Sequence, residues 1–190
     1  QINLGSASSF AVLSLSTITN TGPSTINGNI GTGGTSITGF PPGIVNGNTY
    51  IYTQATTPLN DATAAYNTMN SYTGVDLTNQ DLGGQLLEPG TYSFTSSAQL
   101  TGILTLSGTS NSNTSWYFKI GTALTTAAGS SVLLEGTAQA CNVYWQVGSS
   151  ATLGAATQFV GTVLAEASIT MVTGASCEGG LFALGGAVTL

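Results

Sequence analysis

Acid-base and nucleophilic catalysis draw on a short list of side chains, and most of that list is missing from this chain. It has no His and no Arg, and a single base, Lys119, stands against seven carboxylates. Without imidazole there is no ordinary Ser-His or Cys-His nucleophile and no His-ligated metal site. A pair of carboxylates could still hydrolyse a glycoside or assist a lyase, and Glu135, Glu166 and Glu178 are the candidates. Glu166 falls at the end of a strand and Glu178 at a turn, with no basic group beside either to bind an acidic sugar. The expectation is that the protein is not an enzyme. Asp76, Asp81 and Glu88 are conceivable calcium ligands, but they lack the dense oxygen spacing of a calcium loop and read as solvated turn residues, so no metal and no cofactor are expected.

The abundant polar groups are hydroxyls, 31 Thr and 21 Ser in 190 residues. Their spacing is regular. In Ile18-Thr19, Leu124-Thr125, Ala151-Thr152, Ile169-Thr170 and Val188-Thr189, an apolar residue is followed each time by Thr. If the apolar member points inward, strand alternation turns its neighbours to water. The outward pairs are then Thr17/Thr19, Ala123/Thr125, Ser150/Thr152, Ser168/Thr170 and Ala187/Thr189, with Gln99/Thr101 less regular. One position earlier stand Ser16, Thr122, Ser149, Ala167 and Gly186. Such a face is flat, small and uncharged, with rows about 4.8 Å apart between strands and roughly 6.7 Å along them. Thr alone would mark only a good exposed strand residue. Exposed strands ordinarily also carry Lys or Glu, which keep edges apart and proteins in solution. A neutral lattice of methyl and hydroxyl groups suits a partner that is itself a lattice, ice or another crystalline surface. Polysaccharide binding or surface adhesion stays as the alternative.

The elements that position these residues repeat along the chain. The strand Trp116-Tyr117-Phe118-Lys119-Ile120-Gly121 leads to Leu124-Thr125, and Val143-Tyr144-Trp145-Gln146-Val147-Gly148 leads to Ala151-Thr152. Val163-Leu164-Ala165 leads to Ile169-Thr170, Leu181-Phe182-Ala183-Leu184-Gly185 to Val188-Thr189, Phe10 to Leu15 to Ile18-Thr19, and Tyr92-Ser93-Phe94 to Leu100-Thr101. The Thr positions 125, 152, 170 and 189 are spaced by 27, 18 and 19 residues. A period near 18 predicts a three-sided β-solenoid with about six residues per side, the extra residues before Val143 forming a loop. One helix interrupts the pattern near 57–73, with Thr57 as N-cap, Pro58 at the first helical position and Leu59, Ala62, Tyr66 and Met69 on one face. It is expected to pack along the solenoid. The turn clusters Gly39-Phe40-Pro41-Pro42-Gly43, Leu82-Gly83-Gly84 and Glu88-Pro89-Gly90 are joints within one domain spanning 1–190.

Cys141 and Cys177 lie 36 residues apart, two coil lengths, which would place them nearly 10 Å apart on stacked coils. A bridge needs Cα atoms within roughly 7 Å, so two free, buried thiols are expected. Trp116, Tyr117, Tyr144 and Trp145 could stack on sugars if exposed, but alternation puts most of them in the core. The formal charge of −6 with one base leaves no basic patch for nucleic acid or for an anionic membrane. A start at Gln1 is consistent with a cleaved secretory signal, and Asn113-Thr114-Ser115 is an N-glycosylation sequon; the protein is read as secreted and extracellular.

The sequence resembles the large microbial ice-binding proteins that have a discontinuous β-solenoid. The likeness runs through Leu4-Gly5-Ser6-Ala7, Phe10-Ala11-Val12-Leu13, Ile18-Thr19-Asn20-Thr21-Gly22, Gly28-Asn29-Ile30-Gly31 and Ile37-Thr38-Gly39-Phe40-Pro41-Pro42-Gly43. It continues in Ala65-Tyr66-Asn67, Asp81-Leu82-Gly83-Gly84, Glu88-Pro89-Gly90-Thr91-Tyr92, Asn142 to Gly148 and Gly186-Ala187-Val188-Thr189-Leu190. The resemblance implies a right-handed triangular solenoid with a lateral helix and an N-terminal coil docked against late coils. It also implies ice as the partner, bound through the flat face that includes the positions aligned with Ser16 and with Gly186-Ala187; a monomer is expected. The family's usual Asn-Gly-Arg turn near the C-terminus is replaced here by Cys177-Glu178-Gly179-Gly180.

Overall fold

Segments whose side chains alternate between apolar and polar become strands, and here the strands stack in parallel, each coil beside the next. The computed structural model describes residues 2–109 and 115–190, so the sequon at Asn113 lies outside the described residues. Among the described residues the strands form a nine-stranded sheet, a seven-stranded sheet, and a five-stranded and a two-stranded sheet that share the third side. The result is a β-solenoid with one α-helix alongside.

The middle strands of the nine-stranded side are buried on both faces, which is why they read as nearly continuous apolar runs, whereas its edge strands Thr49–Ile51 and Val75–Asp76 are exposed. All five residues of Val143–Val147 are buried. Inward, Phe118 stacks on Trp145 at 3.9 Å between centroids and 11° between planes, and Trp145 meets Phe159 at 4.8 Å. Outward, Leu13, Tyr144, Leu164 and Phe182 form a second cluster with Leu59, Ala62, Ala65 and Met69 of the helix. The helix is therefore held by its apolar face against the sheet, as its spacing predicts.

Its ends differ from the sequence expectation. The helix spans Thr56–Met69, its N-cap position is Ala55 with no side-chain cap, and Thr57 lies inside the first turn. A 3₁₀ segment, Tyr52–Ala55, runs directly into the helix, so the first helical N–H groups follow a turn already formed and need no hydroxyl cap. Pro58 remains in the first turn, where a missing N–H costs nothing. At the other end the helix stops four residues early. Lys119 Nζ donates to the carbonyls of Asn70 (3.0 Å) and Tyr72 (2.5 Å), and Gln146 Nε2 donates to Tyr66 O (2.9 Å) and Asn70 Oδ1 (2.6 Å). The chain's one base thus sits at the helix C-terminus, where a cation is favoured by the dipole and by the free carbonyls. Lys119→Met, which keeps the apolar stem but removes the donor, is expected to lower stability by about 1–3 kcal/mol in urea unfolding, because two carbonyls lose a charged partner.

The carboxylates are used locally. Asp61 accepts from Ser6 Oγ (2.6 Å) and Ser6 N (2.8 Å), which ties the N-terminal 3₁₀ turn to the helix and lowers its pKa below the ordinary range. Asp76 accepts from the hydroxyl and N–H of Thr78, with the same result. At Asp81 burial pushes the pKa upward, but bonds from Gly83 and Thr101 together outweigh it and the net shift is down. Asp81 closes one end of the seven-stranded sheet, since Thr101 N–H, just past the last strand, donates to it at 2.8 Å.

Both thiols are free, as expected, but they do not share a column. Cys141 is exposed, in the 3₁₀ turn Ala140–Asn142, while Cys177 is half-buried on the strand Ser176–Glu178. The coil before Val143 carries extra residues, so the place beside Phe159 that an even period of 18 assigns to Cys141 is taken by Val132, and Cys141 is carried off the sheet. Burial, with a smaller contribution from Glu178, pushes the Cys177 thiol up to about 12.

Candidate functional site

The seven-stranded side is built from Ala98–Leu100, Leu124–Thr126, Ala151–Leu153, Ile169–Met171, Val188–Thr189, Thr17–Thr19 and Ser36–Thr38, in that spatial order. The central inward column is Ala98, Leu124, Ala151, Ile169, Val188, Ile18 and Ile37; its first six members are at most 3 % exposed. With that column fixed in the core, the residue after each must face water. Register pairs Gln99↔Thr125, Thr125↔Thr152, Thr152↔Thr170, Thr170↔Thr189, Thr189↔Thr19 and Thr19↔Thr38, an unbroken outward row.

The residue before each inward position forms a second row: Ala123, Ser150, Ser168, Ala187, Thr17 and Ser36, joined by N–H···O bonds such as Ala151 N to Ser168 O (3.0 Å) and Ile169 N to Ala187 O (2.9 Å). The corner residues continue the ladder. Ser149 N donates to Thr122 O (3.0 Å), Ala167 N to Ser149 O (2.9 Å) and Ser16 N to Gly186 O (3.1 Å). Close stacking here needs small residues, since a Cβ on Gly34 would lie 1.8 Å from Ser16 O. Ser150 Oγ accepts from Ser168 N and Ser168 Oγ from Ala187 N, both at 3.3 Å, so these hydroxyls also brace neighbouring coils.

Fifteen of the sixteen residues singled out in the sequence therefore come together on one side. Thr101 does not join the row. Ala98, not Leu100, pairs with Leu124, so Gln99 takes the row position and Thr101 lies past the strand end, bonded to Asp81. Both Ala98 and Leu100 are apolar at a spacing of two, and alternation cannot choose between them; the length of the corner from Phe94 does. Thr38 and Ser36 were missed, although Ser36-Ile37-Thr38 repeats the triplet Thr17-Ile18-Thr19 after 19 residues.

The other sides offer nothing comparable. The middle of the nine-stranded side is covered by the helix. The third side mixes Glu135 and Glu178 with the exposed side chains of Leu86, Ile103 and Leu133. Glu166 stands at another corner, beside the Tyr66 phenol, whose pKa is raised by burial and by that carboxylate. Glu178 closes a strand instead of standing in a turn. Trp116 and Trp145 are 0 % exposed and Tyr144 is 2 %, with indole N–H groups bonded to Leu87 O and Val160 O, so these rings present no sugar-stacking strip.

Relatives share this arrangement. The profile of the Ice-binding-like family matches residues 12–190. An ice-binding protein from Nostoc sp. (strain HG1) is 51% identical over 193 residues, spanning 98% of this chain and 71% of its own length. The crystal structure of an ice-binding protein from the Antarctic ascomycete Antarctomyces psychrotrophicus superposes with a TM-score of 0.97 at 42% identity, covering 100% of this chain and 94% of that one. An ice-binding protein from an Arctic yeast, solved to explain its antifreeze activity, gives a TM-score of 0.89 at 30% identity over 100% of this chain and 91% of its own. With its stacked coils, lateral helix and late-docked N-terminal coil all matched along the full length, the chain belongs to the Ice-binding-like family.

Proposed function

We propose that this protein binds ice through its seven-stranded side, gives thermal hysteresis and inhibits recrystallisation, and does so without catalysis. The observation that carries the reading is the unbroken outward row Thr125, Thr152, Thr170, Thr189, Thr19 and Thr38, on strands that bear no charged residue. The residues that would meet ice are Ser16, Thr17, Thr19, Thr122, Ala123, Thr125, Ser149, Ser150, Thr152, Ala167, Ser168, Thr170, Gly186, Ala187 and Thr189, with Thr38 and Ser36 added and Thr101 at the margin.

Each hydroxyl can hold one water at the row spacing while the methyl beside it leaves neighbouring waters to bond to one another. A charged group would instead turn water radially about itself. Because the sheet backbone is already ordered, many modest contacts add without a large ordering cost. Adsorbed molecules then force ice to grow as curved fronts between anchors, which lowers the local freezing point. The protein acts as a secreted monomer, with ice as its partner and neither nucleic acid nor membrane. No helix among the described residues is long and apolar enough to cross a membrane. Ice shaping and a freezing-point gap at micromolar protein are expected in a nanolitre osmometer, together with slowed grain growth in a recrystallisation assay; unshaped crystals and no gap would end the proposal.

A further inference from the structure

At the entry to the middle strands of the seven-stranded side, the backbone ladder leaves out one N–H in each of two coils. Ala167 N bonds Ser149 O and Ile169 N bonds Ala187 O, both at 2.9 Å. Ser168 N, between them, faces the preceding coil, where Ser149 O is already taken and Ser150 O is turned the other way, to Leu124 N (3.1 Å). Its acceptor is the Ser150 hydroxyl, at 3.3 Å. One coil further the arrangement repeats. Ser168 O is turned to Ala151 N (3.0 Å), and Ala187 N donates to Ser168 Oγ, again at 3.3 Å. Gly186 leaves room for that oxygen, since a Cβ there would lie 2.4 Å from it.

These two half-buried serines stand at the entries to the third and fourth of the seven strands, in the centre of the second row. Each oxygen is turned along the stack, toward the next coil. By contrast, among the described residues the hydroxyls of Thr152 and Thr170 have no partner within the protein and are free for water. An N–H left open beside them would hold a water of its own at about 2.9 Å, at a place fixed by the backbone instead of by the rows. Such a water stands out of step with those on the neighbouring Thr hydroxyls.

We propose that Ser150 and Ser168 are positioning residues for ice binding. They act by closing the N–H groups of Ser168 and Ala187, so that the second row meets ice through carbon and the Thr row sets the places of the bound waters. The proposal rests on the ice-binding reading and assigns these two hydroxyls a role within it.

The test compares Ser168→Ala and Ser168→Thr with the unsubstituted chain and with Thr170→Val, which removes an outward hydroxyl and keeps much the same shape. Ser168→Ala is expected to speed amide exchange at Ala187 about tenfold, the scale of one lost hydrogen bond. Its thermal hysteresis should fall several-fold with little change in melting temperature. Ser168→Thr restores the acceptor, repeats the residue type of Thr17 in the same row, and should recover both quantities. Thr170→Val should lower hysteresis and leave exchange at Ala187 unchanged, the behaviour of a direct contact. Lost hysteresis in Ser168→Ala with unchanged exchange at Ala187 would make that hydroxyl an ice contact too, and would overturn the proposal. Faster exchange with full hysteresis would also overturn it, leaving the bond a tie between coils. Absence of hysteresis in the unsubstituted chain is a separate failure, that of the ice-binding reading, and takes the proposal with it.

Discussion

Thr170→Tyr and Thr152→Tyr are each expected to reduce thermal hysteresis several-fold with almost no change in melting temperature. The two residues are register partners in the middle of the seven-stranded side, with two or more strands beyond them in each direction. A phenol ring projects past the surrounding methyl and hydroxyl groups and holds the rows on either side away from the crystal, so one substitution removes the contacts of several coils. Both positions are half-buried strand residues outside any special backbone conformation, and such surface changes stay within about 0.5 kcal/mol. Gln158→Tyr, on the third side, serves as the matched control and should keep full activity. Full hysteresis in both Thr variants with unchanged melting would mean that the wrong side had been chosen.

The largest loss of stability is expected from Trp145→Ala. Its indole is 0 % exposed, stacked on Phe118 and tilted against Phe159, and its N–H bonds Val160 O at 2.9 Å. Truncation leaves a cavity in the centre of the coil and an unpaired carbonyl, and large aromatic deletions of this kind cost about 3–5 kcal/mol. Against a total of roughly 5–15 kcal/mol that is enough to shift the urea midpoint severely or to prevent folding. Ile169→Ala, inward beneath Thr170, should cost about 2–5 kcal/mol by the same mechanism. Any variant that keeps its fold should keep its ice activity per folded molecule, because neither side chain reaches the surface. A change below about 1 kcal/mol for Trp145→Ala in equilibrium unfolding would contradict the packing described here.

Together the two classes separate the outward rows from the inward columns, although the residues alternate along the same strands. Ile169 and Thr170 are adjacent in sequence, yet one is expected to govern folding and the other activity.

What can be read from the sequence is whatever depends on neighbours along the chain. Alternation has a period of two, so once Ile18, Leu124, Ala151, Ile169 and Val188 are taken as core, Thr19, Thr125, Thr152, Thr170 and Thr189 must face out, and they do. Helical spacing in Leu59, Ala62 and Met69 likewise identified the helix and its buried face. Where two local solutions were equivalent, the reading failed. Ala98 and Leu100 both satisfy alternation, and it is the length of the corner from Phe94, seen in the register with Leu124–Thr126, that selects Gln99 over Thr101. The cap at Thr57 looked sufficient because the 3₁₀ turn before it leaves no periodic signal.

The contacts between distant parts of the chain were decided only in three dimensions. Val12 pairs with Leu181, and Thr19 with Thr189, across nearly the whole length of the protein. Nothing in the local pattern of either segment states which edge is its neighbour, because every coil offers the same parallel edge and the same inward aliphatic column. Resemblance supplied that order where periodicity could not. The choice is made by the summed fit of a whole coil against its neighbours, which carries the Thr row unbroken across the seam through Thr189↔Thr19.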